Sequence, residues 1–256
     1  MNGSQWDLTG KVALVTGGSK GLGKAMAREL ASAGADIIIS SRNQEELDTA
    51  LVEILAGTDS RGETVVADMT VRGDVERLGK VSLERMGRVD VLINNAGYNI
   101  PERMDEMTLA NWDRTLQLNL TSCVTLARDL TEQMKERHWG RIVYISSIMA
   151  LSGKIGRGSY AATKAALIGL TRAQALELGP HGITVNCIAP GPILTDMPQA
   201  LLSPEELKSF EDSTALERWG QPADLGGPAL LLATDAGAFI TGTTLVVDGG
   251  VLCNTF

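Results

Sequence analysis

Residues 11–34 read KVALVTGGSKGLGKAMARELASAG, and three kinds of local chemistry follow one another along that stretch. Val12–Val15 is an unbroken apolar run. It suits a strand buried on both faces, because a half-solvated strand would alternate apolar and polar residues. Gly17, Gly18, Gly21 and Gly23 come next, where the chain must turn sharply. From Lys24 the apolar residues recur at spacings of three and four, the stripe of a helix packed along one side. Strand, glycine turn and helix open a βαβ unit. A helix N-terminus beside such a turn attracts a pyrophosphate, since the backbone can approach closely and the first N–H groups lack partners. The spacing Gly17, Gly21, Gly23 departs from the common G-x-G-x-x-G, so the cluster takes its weight from its place after the first strand.

The same alternation runs on outward. ADIIIS, ETVVA, VDVLIN, RIVYIS, ITVNCI and TTLVVD repeat the strand pattern, while EELDTALVEILA and AALIGLTRAQALELG repeat the helical one. The expected fold class is α/β: a single Rossmann-type doubly wound sheet of about seven parallel strands, flanked by helices on both faces. No proline-rich or charged linker divides residues 1–256, so one dinucleotide-binding domain is expected. One segment breaks the rhythm. Residues 192–219 hold ILTDMPQALLSPEELKSF between the sixth strand and a helix near 222–234. Loops of that length in a compact domain are usually functional, and this one reads as a lid over a pocket.

Composition narrows the partners. With 44% hydrophobic residues, 21% charged residues and 28 glycines, the chain can bury a core and make many tight turns. A formal net charge of −8 and a pI near 4.9 oppose binding to nucleic acid or an anionic membrane, which leaves a small molecule as the expected partner. Cys123, Cys187 and Cys253 are odd in number and far apart, as suits a reducing compartment without disulfides. His138 and His181 have no cysteine or carboxylate at ligand spacing, so no metal site is expected. MNGSQWDLTGK lacks a basic region followed by an apolar run, and no window approaches the ~18 apolar residues of a membrane helix; a cytoplasmic protein is expected.

The second strand ends in ADIIISSRN. A fold that binds NAD normally places an acid there to accept hydrogen bonds from the adenosine ribose. Here Ser41 replaces it and Arg42 follows, and a guanidinium suits a 2′-phosphate. Lys20, inside the glycine turn, would bring a second cation to the same end of the ligand. Together these residues favour NADP(H) over NAD(H).

With TGGSKGLG at 16–23, NNAG at 94–97 and YAATK at 160–164 in this order, the sequence resembles the short-chain dehydrogenase/reductase family, from Gly10 to Gly250. The resemblance implies a catalytic set. Asn119 would hold a water that links the lysine to solvent, Ser147 would hydrogen-bond the substrate oxygen, and Tyr160 would act as acid and base. Lys164 would support the phenolate of Tyr160 and bind the nicotinamide ribose. The resemblance also implies that Gly17, Ser19, Lys20, Gly21, Leu22 and Gly23 hold the cofactor's phosphates, with Ser41 and Arg42 beside the adenosine ribose and Asp68 with Met69 at the adenine. Asn95, Ala96 and Gly97 would line the crevice, and Pro190, Gly191, Ile193 and Thr195 the carboxamide end. Asn94 would tie neighbouring strands.

The chemistry is consistent with the motif. A free phenol ionises near pH 10, too high for a base at neutrality, and ionising it two to three pH units lower takes about 3–4 kcal/mol. An ammonium about 4 Å away supplies around 4 kcal/mol at an effective dielectric near 20. Four residues of separation put Tyr160 and Lys164 on one face of a helix, which Ser159 is placed to cap. In the family's enoyl reductases the tyrosine and lysine lie further apart, so the resemblance favours C=O/CH–OH chemistry.

Family members acting on sugar acids, polyols and small cyclic ketones have near counterparts of SSRN and GKIGRGSYAATK, so such a substrate is expected. Tyr98, Ile148, Met149, Ile155, Leu194 and Met197 are candidate pocket residues by position, although core or lid packing would use the same side chains. Two alternatives stand beside this. One is reduction of 3-oxoacyl chains on acyl carrier protein, for which the docking positions here are His138 and His181, poor partners for an acidic carrier unless Arg137 and Arg141 compensate. The other is a non-catalytic dinucleotide-binding sensor or scaffold, against which the intact Asn119, Ser147, Tyr160 and Lys164 argue. The resemblance further implies a homo-oligomer, a tetramer built through helices at about 109–135 and 159–178 and through the last strand.

Overall fold

Parallel strands cannot be joined by tight hairpins, so each connection must cross a face of the sheet, and here helices make most of the crossings. The structure is a computed structural model that describes residues 4–195 and 203–254. Its strands are β1 Val12–Thr16, β2 Asp36–Ser41, β3 Gly62–Val66, β4 Val91–Asn94, β5 Gly140–Ile145, β6 Ile183–Pro190 and β7 Thr244–Val247. They form one parallel sheet in the order β3-β2-β1-β4-β5-β6-β7. The helices are α1 Gly21–Ser32, α2 Gln44–Leu55, α3 Arg72–Met86, α4 Leu109–Leu116, α5 Ser122–Glu136, α6 Gly158–Leu178, α7 Pro204–Asp212 and α8 Gly226–Ala233.

Successive strand residues point to opposite faces, so every second side chain enters a different core. Leu14, Ile38, Leu92, Ile142 and Tyr144 pack with Leu78 of α3, Leu126 of α5 and Leu167 of α6. Val15, Ile39, Ile93 and Val143 pack on the other side with Leu30 of α1, Leu47 of α2 and Leu232 of α8. This is why the strand sequences are mostly apolar: β1, β4, β5 and β6 are buried at every position. Each fully buried Leu or Ile contributes about 1.5–3 kcal/mol.

The strand order reverses between β1 and β4, which opens a crevice at their C-terminal ends. The opposite end is closed by charge. Asp90 is wholly buried, accepts from the Val12 N–H and pairs with Arg88 and Arg137. Arg141 is buried against Trp139 and pairs with Asp235.

Three local features depart from expectation. The helix expected over 109–135 is interrupted: α4 and α5 are joined by a π-helical turn, Gln117–Thr121, with Asn119 at its middle. Ser122, Cys123 and Thr125 return their side chains to the carbonyls of Leu118, Asn119 and Thr121, a back-bonding pattern that accompanies bent helices. Ser159 does not cap α6. The chain enters from Gly156, whose carbonyl is held by the Glu102 N–H, so the helix starts at Gly158 with Arg157 at the N-cap and Ser159 buried in the first turn. Of residues 192–219, expected as one long loop, 196–202 lie outside the described residues and Pro204–Asp212 form α7. Trp219 fastens α7 by donating from Nε1 to the Leu207 carbonyl at 2.9 Å and by packing on Phe210.

Candidate active site

The glycine turn is shaped by contacts that a side chain would obstruct. Gly17 and Gly21 have φ of +64° and +56°, a region that favours glycine. A Cβ on Gly23 would collide with the Gly17 carbonyl. The first turn of α1 holds no acid, and the N-cap residue Lys20 makes no side-chain cap bond, so the first N–H groups are left for an anion.

β4 closes the other wall of the crevice. Thr16 Oγ1 accepts from the N–H groups of Asn95 and Ala96, both at 3.0 Å. Asn95 donates from Nδ2 to the carbonyls of Thr16 at 2.9 Å and Gly17 at 3.2 Å. Asn95 is therefore a clamp that fixes the glycine turn. Asn94, expected to tie the strands, is in register with Tyr144 of β5, while its side-chain Nδ2 is buried without a partner among the described residues. Thr195, from the stretch after β6, brings its methyl to 3.5 Å from where a Gly21 side chain would begin. That stretch is held by Gly220, which exchanges hydrogen bonds with Pro192 and Leu194, and by Gly191, whose N–H donates to the Val247 carbonyl. Ile193 packs into the second core.

The catalytic set implied by the resemblance converges beside this crevice. Lys164 is 4% exposed; its Nζ donates to the Ile145 carbonyl at 2.7 Å and lies 5.5 Å from the Tyr160 ring centroid. No carboxylate pairs with it among the described residues. A Cβ on Gly97 would sit 3.2 Å from Lys164 Nζ and 3.4 Å from Asn119 Oδ1, so a bare glycine backs the lysine. Asn119 Oδ1 accepts from the Tyr98 N–H, while Nδ2 donates to the Tyr98 carbonyl and to Thr163 Oγ1. Its two N–H donors are thus committed, and one oxygen lone pair remains for the expected water. Ser147 stands at the N-cap of a short 3-10 turn, where its Oγ accepts from the Met149 N–H at 3.1 Å and keeps its own proton to donate.

At the adenosine end, Arg42 is exposed and has no partner among the described residues. Lys20, expected to bring a second cation to this end, has its Nζ 3.7 Å from Glu46 Oε2, which also accepts from Ser19 Oγ. Asp68 accepts from Thr70 and donates its N–H to Asp74, and that bond, with Arg77, holds the Asp74 carboxyl below its ordinary range. Met69 is buried. Among the pocket candidates, Ile148 is buried and Met149 half-buried, whereas Ile155 and the Tyr98 side chain are exposed; Met197 lies outside the described residues. Thr16, Thr163 and Glu46 contact these residues although the sequence did not single them out. A threonine ending the first strand and another preceding the lysine were the available signals for two of them.

These residues fit a nicotinamide dinucleotide: a bare, uncapped helix start for its phosphates, free Arg42 at one end, and a buried unpaired ammonium at the other. The comparisons agree. The family model described as enoyl-(acyl carrier protein) reductase matches residues 17–252. A 3-oxoacyl-[acyl-carrier-protein] reductase of Synechocystis sp. is 38% identical over 96% of this chain and 98% of its own. A 2-dehydro-3-deoxy-D-gluconate 5-dehydrogenase of Dickeya dadantii is also 38% identical, over 96% and 97%. The chain belongs to the short-chain dehydrogenase/reductase family.

Solved structures of the family carry either cofactor. A 3-oxoacyl (acyl-carrier-protein) reductase from Agrobacterium tumefaciens with NADP bound superposes with a TM-score of 0.91 at 32% identity, covering 95% of both chains. A 7α-hydroxysteroid dehydrogenase complexed with NADH and a 7-oxo bile acid conjugate gives 0.92 at 34%, covering 98% of both. Although the matching model is described as an enoyl-(acyl carrier protein) reductase, these relatives are named as 3-oxoacyl reductases and as gluconate and hydroxysteroid dehydrogenases. Among the described residues, no helix is long and apolar enough to cross a membrane.

Proposed function

We propose that the chain interconverts a secondary alcohol and a ketone using NADP(H), and that its substrate is a small polyol, sugar acid or cyclic ketone. The observation that carries this reading is the buried Lys164 ammonium without a counter-ion, set over Tyr160. Burying a charge without a partner costs several kcal/mol, so the arrangement makes sense where a negative group forms in use. A phenolate on Tyr160 is such a group.

A bound nicotinamide supplies or takes up the hydride; the chain's own residues handle the proton. In the oxidative direction Tyr160 Oη takes the hydroxyl proton, and in the reverse direction it returns it to the ketone oxygen. Ser147 donates its free proton to that oxygen and holds it beside Tyr160. Asn119 fixes the loop at Tyr98 and keeps this corner in place. The glycine turn, Asp68, Met69, Ala96, Pro190 and Thr195 line the dinucleotide's path, and Ser41 with Arg42 supports the preference for a 2′-phosphate. Residues 192–219, of which 196–202 lie outside the described residues, act as a lid, with Lys154 over the Phe210 ring at 4.8 Å joining α7 to the loop beyond Ser147. The protein is a single-domain cytoplasmic enzyme that forms a tetramer.

Two arginines engaged within the fold, one of them buried, disfavour the acyl-carrier reading. Arg137 is turned inward onto Val89, Asp90 and Gln133, and Arg141 is 3% exposed, so neither is free to compensate for His138 and His181. The two histidines lie side by side, ring centroids 6.4 Å apart.

The test is a panel of hydroxy acids, polyols, cyclic ketones and 3-oxoacyl thioesters, assayed with both cofactors. The highest kcat/KM is expected for a member of the first three classes with the phosphorylated cofactor. A 3-oxoacyl thioester at the top would overturn the substrate reading, and no turnover at all would favour the sensor.

A further inference from the structure

Glu46 lies in the first turn of α2, where the helix N-terminus and the Asn43 cap favour an acid. Its carboxylate reaches back to the glycine turn, 3.7 Å from Lys20 Nζ and within 3.4 Å of Ser19 Oγ. Both partners face a recess of about 410 Å³, lined by Ser19, Lys20, Lys24, Glu45, Glu46 and Thr49. The other lysine of that recess, Lys24, is also engaged, by Glu53. Arg42 is therefore the one cation of the three that no carboxylate holds among the described residues.

We propose that Glu46 is a specificity-determining residue that works against the 2′-phosphate. It occupies Lys20 and Ser19 in the free protein, so a phosphate that recruits Lys20 must first displace it. It also leaves a like charge beside a group that itself carries about −1.5 to −2. An NAD-type ribose, with no phosphate, disturbs none of this. The chain consequently accepts the phosphorylated cofactor through Arg42 and moderates the preference through Glu46. This rests on the reading of Lys20 and Arg42 as the 2′-phosphate end.

The experiment is calorimetric titration of NADP+ and NAD+ into the wild type, Glu46→Gln, Lys20→Ala and the double variant, with no substrate present. Glu46→Gln is expected to bind NADP+ roughly three- to tenfold more tightly, the range of an exposed ion pair plus one like-charge contact, and NAD+ within about twofold of the wild type. In the Lys20→Ala background the gain should shrink. Glu46→Ala, which removes the carboxylate by another route, should show the same selectivity. Equal tightening of both nucleotides, no tightening of either, or an undiminished gain without Lys20 would overturn the proposal. A wild type that binds NAD+ more tightly than NADP+ would instead refute the cofactor reading, while the Glu46→Gln ratio would still decide the role of Glu46.

Discussion

Lys164 makes an unusual demand on the fold. A long cationic side chain is held almost wholly out of water by one carbonyl, that of Ile145, with no carboxylate paired to it among the described residues. A site arranged only for stability would not keep that charge. Lys164→Met, close in volume and neutral, is expected to raise the stability of the ligand-free protein by about 1–3 kcal/mol, a few degrees in Tm, while turnover falls by orders of magnitude. Thermal scans beside initial rates check it, and a variant that melts earlier would show that the ammonium is compensated. The methyl of Gly97→Ala would press on Lys164 Nζ at 3.2 Å and Asn119 Oδ1 at 3.4 Å, so kcat should drop with little change in Tm. Asn119 could be named only through the family resemblance, and YAATK also because a lysine one helical turn from a tyrosine can support a phenolate. The engagement of Lys20 was not legible, since Glu46 belongs to another helix and only the folded turn brings the two together.

Among the elements, strands and outer helices were readable because a doubly covered parallel sheet leaves no polar face, and each buried run declares itself. The π-helical turn was not readable. QLNLT has nothing that marks a widened turn, and the widening accompanies tertiary bonds from Asn119 to Tyr98 and Thr163. π-turns are rare and collect at functional sites, and this one carries the implied catalytic asparagine. Thr163 links the π-turn to α6 by accepting from Asn119 and donating to the Tyr160 carbonyl at 2.8 Å. Thr163→Val is expected to lower kcat about tenfold, the worth of one buried hydrogen bond, with cofactor affinity unchanged. Thr163→Ser should restore the rate; failure of that rescue would assign the loss to packing.

At the level of the whole molecule, the two cores that sandwich the sheet also decide which cysteines react. Burial pushes the Cys187 thiol up to about 11 and raises that of Cys123, so at pH 8 both remain protonated and shielded, whereas Cys253 is exposed. Iodoacetamide at pH 8 should label the native protein once per chain and the unfolded protein at all three cysteines. Raising the pH alone should not bring in Cys187 while the fold holds, because the thiol is buried as well as protonated. The edge of the sheet makes a separate prediction. β7 leaves one side unpaired and half-exposes Val246, and Phe239 lies fully exposed. Such an edge calls for cover, and light scattering should find an assembly larger than a monomer.

The account turns on one proton. Tyr160→Phe removes only the phenolic oxygen and leaves Lys164, Asn119, Ser147 and the glycine turn as they are. Single-turnover hydride transfer and dinucleotide binding, measured on the same preparation, separate the two roles. The expected result is cofactor binding within about threefold of the wild type and a rate lower by at least about a thousandfold. Undiminished hydride transfer in Tyr160→Phe would contradict the account.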